Sequence, residues 1–163
     1  LLAPNKIVEP IVSSGGFLHG HTYASNPLSC AIANAVLNEV VENNLVENAR
    51  VIGDYLKEGL ENLASQLSIV GDVRGKGLLL AVEVVRDAMT KSMFNSDQRA
   101  IYRISELGIR NGILLYTRRT SKGENGEWLM IAPPLISTTA HCDNFLSKLY
   151  KTLKDFEKEQ GIR

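Results

Sequence analysis

A chain of 163 residues, 44% hydrophobic and 22% charged, is long enough to bury one sizeable core with an appended segment. Its 18 lysines and arginines balance 18 acids, so nothing draws it electrostatically to nucleic acid or an anionic membrane, and small neutral or zwitterionic partners fit better. Cys30 and Cys142 are far apart and read as reduced thiols of a cytoplasmic protein rather than a disulfide framework, and no apolar run approaches membrane-spanning length.

Leu1 to Ile11 holds Pro4 and Pro10 and an apolar pattern too short to define an element, which predicts a connector or helix remnant. Gly15 to Ala24 is a flexible, polar stretch, and it ends at Asn26, a favoured N-cap, followed by Pro27, which suits the first helical position. A helix to about Asn43 follows, with Leu28, Ile32, Ala35 and Val36 at helical spacing; it is expected to be buried or to lie at a subunit interface. Its free amides and positive dipole end would face back toward Thr22 and attract an anion, phosphate above all. After the Asn43-Asn44 break, Ala49, Ile52, Leu56, Leu60 and Leu63 mark a second helix from about Leu45 to Gln66.

Near Ser68 the period changes from helical to extended. Ile69 to Val73 and Leu78 to Val85 read as paired strands around a glycine turn or bulge. Arg74-Gly75-Lys76-Gly77 lacks the spacing of a nucleotide-binding P-loop and runs into a strand instead of a helix. Arg86 to Asn95 reads as an exposed loop. Ser96 is expected to cap a helix with Ile101, Ile104 and Leu107 inward, ending near Asn111-Gly112. Ile113 to Arg118 and Trp128 to Ala132 form a predicted hairpin around the Asn125-Gly126 pair, and Pro133-Pro134 stops the returning strand. Ser137, Thr138 or Thr139 then caps a last helix with Phe145, Leu146, Leu149, Leu153 and Phe156 on one face. The order predicts an α+β domain, a small antiparallel sheet covered on one side by helices.

Two candidate reaction centres are weak on residue grounds. His19, His21, Cys30, His141 and Cys142 show no compact set of metal ligands at useful spacing. His141-Cys142-Asp143 contains residue types used in nucleophilic catalysis, but helix neighbours point away from one another. Asp143 suits the positive end of the last helix, and Cys142 is expected to be half buried.

Phe17-Leu18-His19-Gly20-His21-Thr22-Tyr23, then Asn26-Pro27-Leu28 and Cys30-Ala31-Ile32-Ala33, resembles the motif F-x-H-G-H-T-Y-x-x-x-P-x-x-C-A of class III aminotransferases. These are fold-type I enzymes dependent on pyridoxal phosphate (PLP). The likeness continues through Leu45 to Ala49, Val70 to Leu78 and Ala132-Pro133-Pro134-Leu135, in family order. It implies that Thr22 reaches across a homodimer interface to the cofactor phosphate held by the other subunit, with His21 lining the same contact. Many family members grip a substrate carboxylate with an arginine in the strand after the glycine matching Gly112. The matching position here is Tyr116, with Arg118 and Arg119 following as candidate substrate-binding residues, or as surface charges on a hairpin tip.

The Schiff-base lysine and the aspartate that binds the pyridine nitrogen precede this motif in the family, so the resemblance places both before Leu1 and rejects Lys76 as the reactive lysine. The chain is accordingly expected to be the C-terminal part of an enzyme that moves an amino group from an amine or ω-amino acid to a 2-oxo acid, inactive alone. Residues 1–26 would be a connector and phosphate-contacting loop from the large domain, 27–67 linking helices, and 68–163 the small C-terminal α+β domain. The alternative is a non-catalytic dimerisation or regulatory module that kept the fold.

Overall fold

A computed structural model describes residues 3–124 and 126–162, and the chain divides into two compact units, Leu1–Glu39 and Val40–Arg163. The first unit contains α1 (Asn5–Ser13), a stretch of turns and extended chain, and most of α2 (Pro27–Glu42). Where the sequence predicts a connector or remnant, α1 is continuous through Pro10. The proline removes one amide from the ladder, while Ile7 and Ile11, and Val8 and Val12, sit one turn apart and give the helix an apolar side. The Ser14 amide and hydroxyl donate to the carbonyls of Pro10 and Ile11 and close its last turn. Neither α1 nor α2 buries a residue, so Leu28, Ile32, Val36 and Leu37 of α2 present an uncovered apolar side.

In the second unit Asn44 takes a left-handed conformation, which asparagine tolerates better than most residues, and separates α2 from α3 (Leu45–Ala64). The strands β1 (Val70–Lys76), β2 (Leu79–Val84), β3 (Tyr116–Arg119) and β4 (Glu127–Ile131) form one antiparallel sheet in the order β1-β2-β4-β3. Gly71 is the extra residue of a bulge between the Val70 and Asp72 pairings. Between β2 and β3 lie a 3-10 turn (Ser96–Gln98) and α4 (Ala100–Arg110); a second 3-10 segment, Thr120–Gly123, makes the tip between β3 and β4, and α5 (Thr139–Glu159) ends the fold. The predicted turn residue Asn125 lies outside the described residues.

Strand alternation sorts the sheet into two faces. Leu80, Val82, Val84, Leu129 and Ile131 face Leu56 and Leu60 of α3, Ile101 and Ile104 of α4, and Leu149, Leu153 and Phe156 of α5 in one buried cluster. Each fully buried side chain of this kind contributes about 1.5–3 kcal/mol. The helices therefore cover one side, as the α+β pattern predicts. The opposite face carries Arg74, Glu83, Trp128, Met130, Tyr116 and Arg118 in register across the strands.

The β1–β2 turn sits on α3 because two glycines meet there. A Cβ placed on Gly53 would stand 2.3 Å from the Gly77 backbone, so only hydrogen lets the turn approach this closely.

The helix starts differ from the sequence expectation at one place. Ser96 begins the 3-10 turn, whose cap is Asn95 in a reciprocal pair with Gln98, and α4 starts only after the left-handed Arg99. Helix α5 is capped by Thr138, whose hydroxyl accepts from the His141 amide at 3.4 Å while the His141 ring accepts from the Thr138 amide at 3.2 Å.

Candidate functional site

The first unit builds its candidate site from an extended run that enters a turn. Along Phe17 to His21, alternate residues fall on one side: the Phe17 and His19 rings meet edge to face at 5.8 Å, and His19 and His21 at 4.9 Å. The Ala24 amide then donates to the His21 carbonyl at 2.9 Å and turns the chain, leaving Thr22 at the bend. Thr22 is exposed, and its hydroxyl has no hydrogen bond among the described residues. An available hydroxyl beside exposed imidazoles fits a phosphate oxygen.

The amides of α2 do not offer the open anion site that its sequence suggests. The Asn26 side chain accepts from the Leu28 and Ser29 amides at 3.1 and 3.2 Å, its carbonyl accepts from Cys30 at 3.0 Å, and Pro27 has no amide. The cap occupies the donors that an anion would have used. What remains of the expectation is the Thr22 hydroxyl and a helix dipole that no acidic residue in the first turn neutralises.

In the second unit the hairpin sends its two arginines to opposite faces. Arg118 lies on the exposed face beside Tyr116 and directly across from Trp128 of β4. Arg119 turns into the helix-covered side, where its guanidinium donates to the Glu127 carboxylate and to the Ser96 carbonyl, with the Tyr102 ring 5.7 Å away. Its side chain is 11% exposed, and that of Glu127 7%. Of the two arginines expected to serve a substrate or to be surface charges, Arg119 has a buried anionic partner and Arg118 keeps its guanidinium on the exposed face. Sequence reading missed Glu127 altogether; the only hint was an acid placed where strand alternation points inward.

A cavity of about 390 Å³ opens at the Tyr116 end of β3, with Leu56, Tyr116, Met130, Pro133, His141 and Phe145 among its walls. Its lining is mainly apolar, and the side chains of His141-Cys142-Asp143 have separate tasks. The His141 ring serves the α5 cap, and Asp143 accepts the Tyr55 hydroxyl at 2.6 Å. Cys142 is fully buried, more than the half-burial expected of it, and loss of solvent, followed by the Asp143 charge, raises its thiol pKa. This is the environment of an inert thiol.

The fold and the motif-bearing turn together define a small α+β domain of the fold-type I kind, preceded by a helical segment. The chain belongs to the class III aminotransferase family, whose family model matches residues 1–153. It is 34% identical over 157 residues to the uncharacterized aminotransferase YodT of Bacillus subtilis, covering 94% of this chain and 35% of that protein. An (S)-enantioselective omega-transaminase from Thermomicrobium roseum superposes with a TM-score of 0.77 at 34% identity, covering 93% of this chain and 32% of the other. An amine transaminase from an uncultivated Pseudomonas species, solved in its PLP-bound form, gives 0.73 at 32% identity over 85% of this chain and 30% of its own. The chain spans about a third of the length of these proteins.

Proposed function

We propose that this chain is the C-terminal part of a PLP-dependent aminotransferase that acts as a cytoplasmic homodimer. The intact enzyme moves an amino group from an amine or ω-amino acid to a 2-oxo acid, and residues 1–163 alone do not, because on this reading the Schiff-base lysine belongs to the large domain. Family membership supports the reaction class. The observation that carries the reading furthest is the exposed Thr22 hydroxyl, without a hydrogen bond among the described residues, at the bend between the histidine run and α2.

In this account residues 1–26 complete the cofactor site, 27–67 link it onward, and 68–163 form the small domain. Thr22 donates its hydroxyl to the cofactor phosphate of the facing subunit, and His21 lines that contact. PLP, when bound, supplies an electron sink for the substrate carbon that loses a proton. Arg118 holds the substrate carboxylate from the exposed face of β3, and Arg119 supports it from behind. Tyr116, taking the place where many relatives carry arginine, borders the apolar cavity and favours donors whose other substituent is apolar.

The test is cofactor affinity in the full-length protein. Thr22→Ala is expected to raise the PLP dissociation constant about tenfold, the worth of one charge-assisted hydrogen bond of about 1.5 kcal/mol. Unchanged affinity would take the phosphate role away from Thr22.

A further inference from the structure

The β3–β4 hairpin is an edge feature. Strand β3 is four residues long, pairs with β4 on one side, and ends in a tip whose Ser121 and Lys122 adopt left-handed backbone angles. Short edge strands hold their position weakly unless something fixes them. Here Glu127, the first residue of β4, points inward from opposite Arg119, and one of its carboxylate oxygens takes the Arg119 guanidinium. The other accepts the Ile101 amide at 2.9 Å, and Ile101 is the second residue of α4.

This supplies what α4 lacks locally. Its preceding residue, Arg99, gives no side-chain cap, and the residue that meets the helix start comes from a strand 26 positions further on. Arg119 in turn reaches the Ser96 carbonyl in the 3-10 turn before α4 and lies near the Tyr102 ring within it. The hairpin tip leaves room for this: Gly123 has a φ of +100°, and a Cβ there would stand 2.6 Å from the guanidinium. The Arg119–Glu127 pair thus joins the hairpin, the turn before α4 and the start of α4.

We infer that Glu127 is a positioning residue for the substrate-facing side of β3, fixing where Arg118 presents its guanidinium by anchoring the next residue, Arg119, from the buried side. The inference rests on the proposed role of Arg118. Successive strand residues point to opposite faces, so a rigid hold on Arg119 sets the height and tilt of Arg118 above the sheet. Without the anchor, Arg118 is steadied chiefly by the Tyr116 ring beside it, and a two-point grip on a carboxylate is sensitive to small displacements.

The experiment compares Glu127→Gln, Arg118→Ala and the double variant in the full-length holoenzyme, each assayed well below its own melting temperature. For each, KM and kcat are measured for a 2-oxo acid and for an amine donor without a carboxylate. Arg118→Ala is expected to raise the 2-oxo acid KM about tenfold and to leave the amine KM unchanged. Glu127→Gln is expected to raise the same KM about threefold or more, with the amine KM and kcat unchanged, and to add nothing in the double variant. A purely structural role would lower activity on both substrates alike, and that result overturns the inference. So does a Glu127→Gln enzyme with a normal 2-oxo acid KM beside a defective Arg118→Ala. If Arg118→Ala itself binds the 2-oxo acid normally, the substrate role of Arg118 falls, and this inference with it. Should Glu127→Gln fail to fold, Arg119→Lys, which keeps the charge but cannot span Glu127 and Ser96, is read by the same criteria.

Discussion

The guanidinium of Arg118 stands 5.1 Å from the centre of the Tyr116 ring, on the exposed face of β3. The contact spans one strand repeat, so an aromatic side chain two residues back steadies a long, flexible cation and restricts where it can reach. Tyr116, where the resemblance expects an arginine, thus steadies the guanidinium proposed to bind the substrate carboxylate. Tyr116→Ala removes the ring and is expected to raise the 2-oxo acid KM of the full-length enzyme about threefold, from about 0.5–1 kcal/mol of lost cation–π contact. An unchanged KM would separate the stacking from recognition.

The neighbouring arginine has a different weight. Arg119→Ala leaves the Glu127 carboxylate buried without its cation, and such an uncompensated charge costs about 3 kcal/mol or more. Arg118→Ala, on the surface, gives up its contact with the Tyr116 ring and is expected to cost no more than about 1 kcal/mol. Urea denaturation of the two variants checks the contrast. Equal losses would mean that the buried pair does not hold the hairpin.

Much of this architecture is legible in the residues because local pattern and tertiary packing agree. The 3.6-residue stripe of α3 and the inward face of α5 are both buried as the spacing implies, and the helices cover one side of the sheet. Two features of the small domain were missed because their partners are distant in the chain. The pairing of β2 with β4 bridges residues about fifty positions apart, and α4 draws its terminal partner from Glu127, so inspection of residues near Ser96 names the wrong cap. At Thr22 the local signal was real but incomplete: Asn26 identifies the helix start and, by capping it, also consumes the amides credited to an anion.

Cys142 is expected to resist thiol reagents in the native protein. It is 3% exposed and its pKa is raised by burial, so little thiolate is present near neutral pH and little of the sulfur can be reached. Alkylation followed by mass spectrometry should modify it only after denaturant is added. Rapid modification of the folded protein would contradict the burial.

The junction of α4 and α5 predicts a response to acid. Arg103 donates to both Glu159 oxygens at 2.8 Å, and this hydrogen bonding lowers the Glu159 pKa from its ordinary value. A carboxylate lowered on folding contributes stability above its unfolded pKa and loses it as pH falls through the folded one. Stability should therefore decline from about pH 5 downward, and Glu159→Gln should flatten that decline while leaving the protein less stable at pH 7. Thermal unfolding from pH 7 to pH 3 provides the comparison; parallel curves for both proteins would remove Glu159 from the acid response.

The claim on which the account stands is that Thr22 serves the cofactor of the other subunit, and hybrid dimers of the full-length protein measure it. Subunits carrying Thr22→Ala are mixed with subunits whose Schiff-base lysine has been replaced, and PLP affinity is titrated at the lysine-bearing site. The account predicts that this site, fed by an intact Thr22 from its partner, recovers the wild-type PLP affinity that the Thr22→Ala dimer lacks. A hybrid that stays as weak as the Thr22→Ala dimer would place the contact within one subunit, and the account would be contradicted.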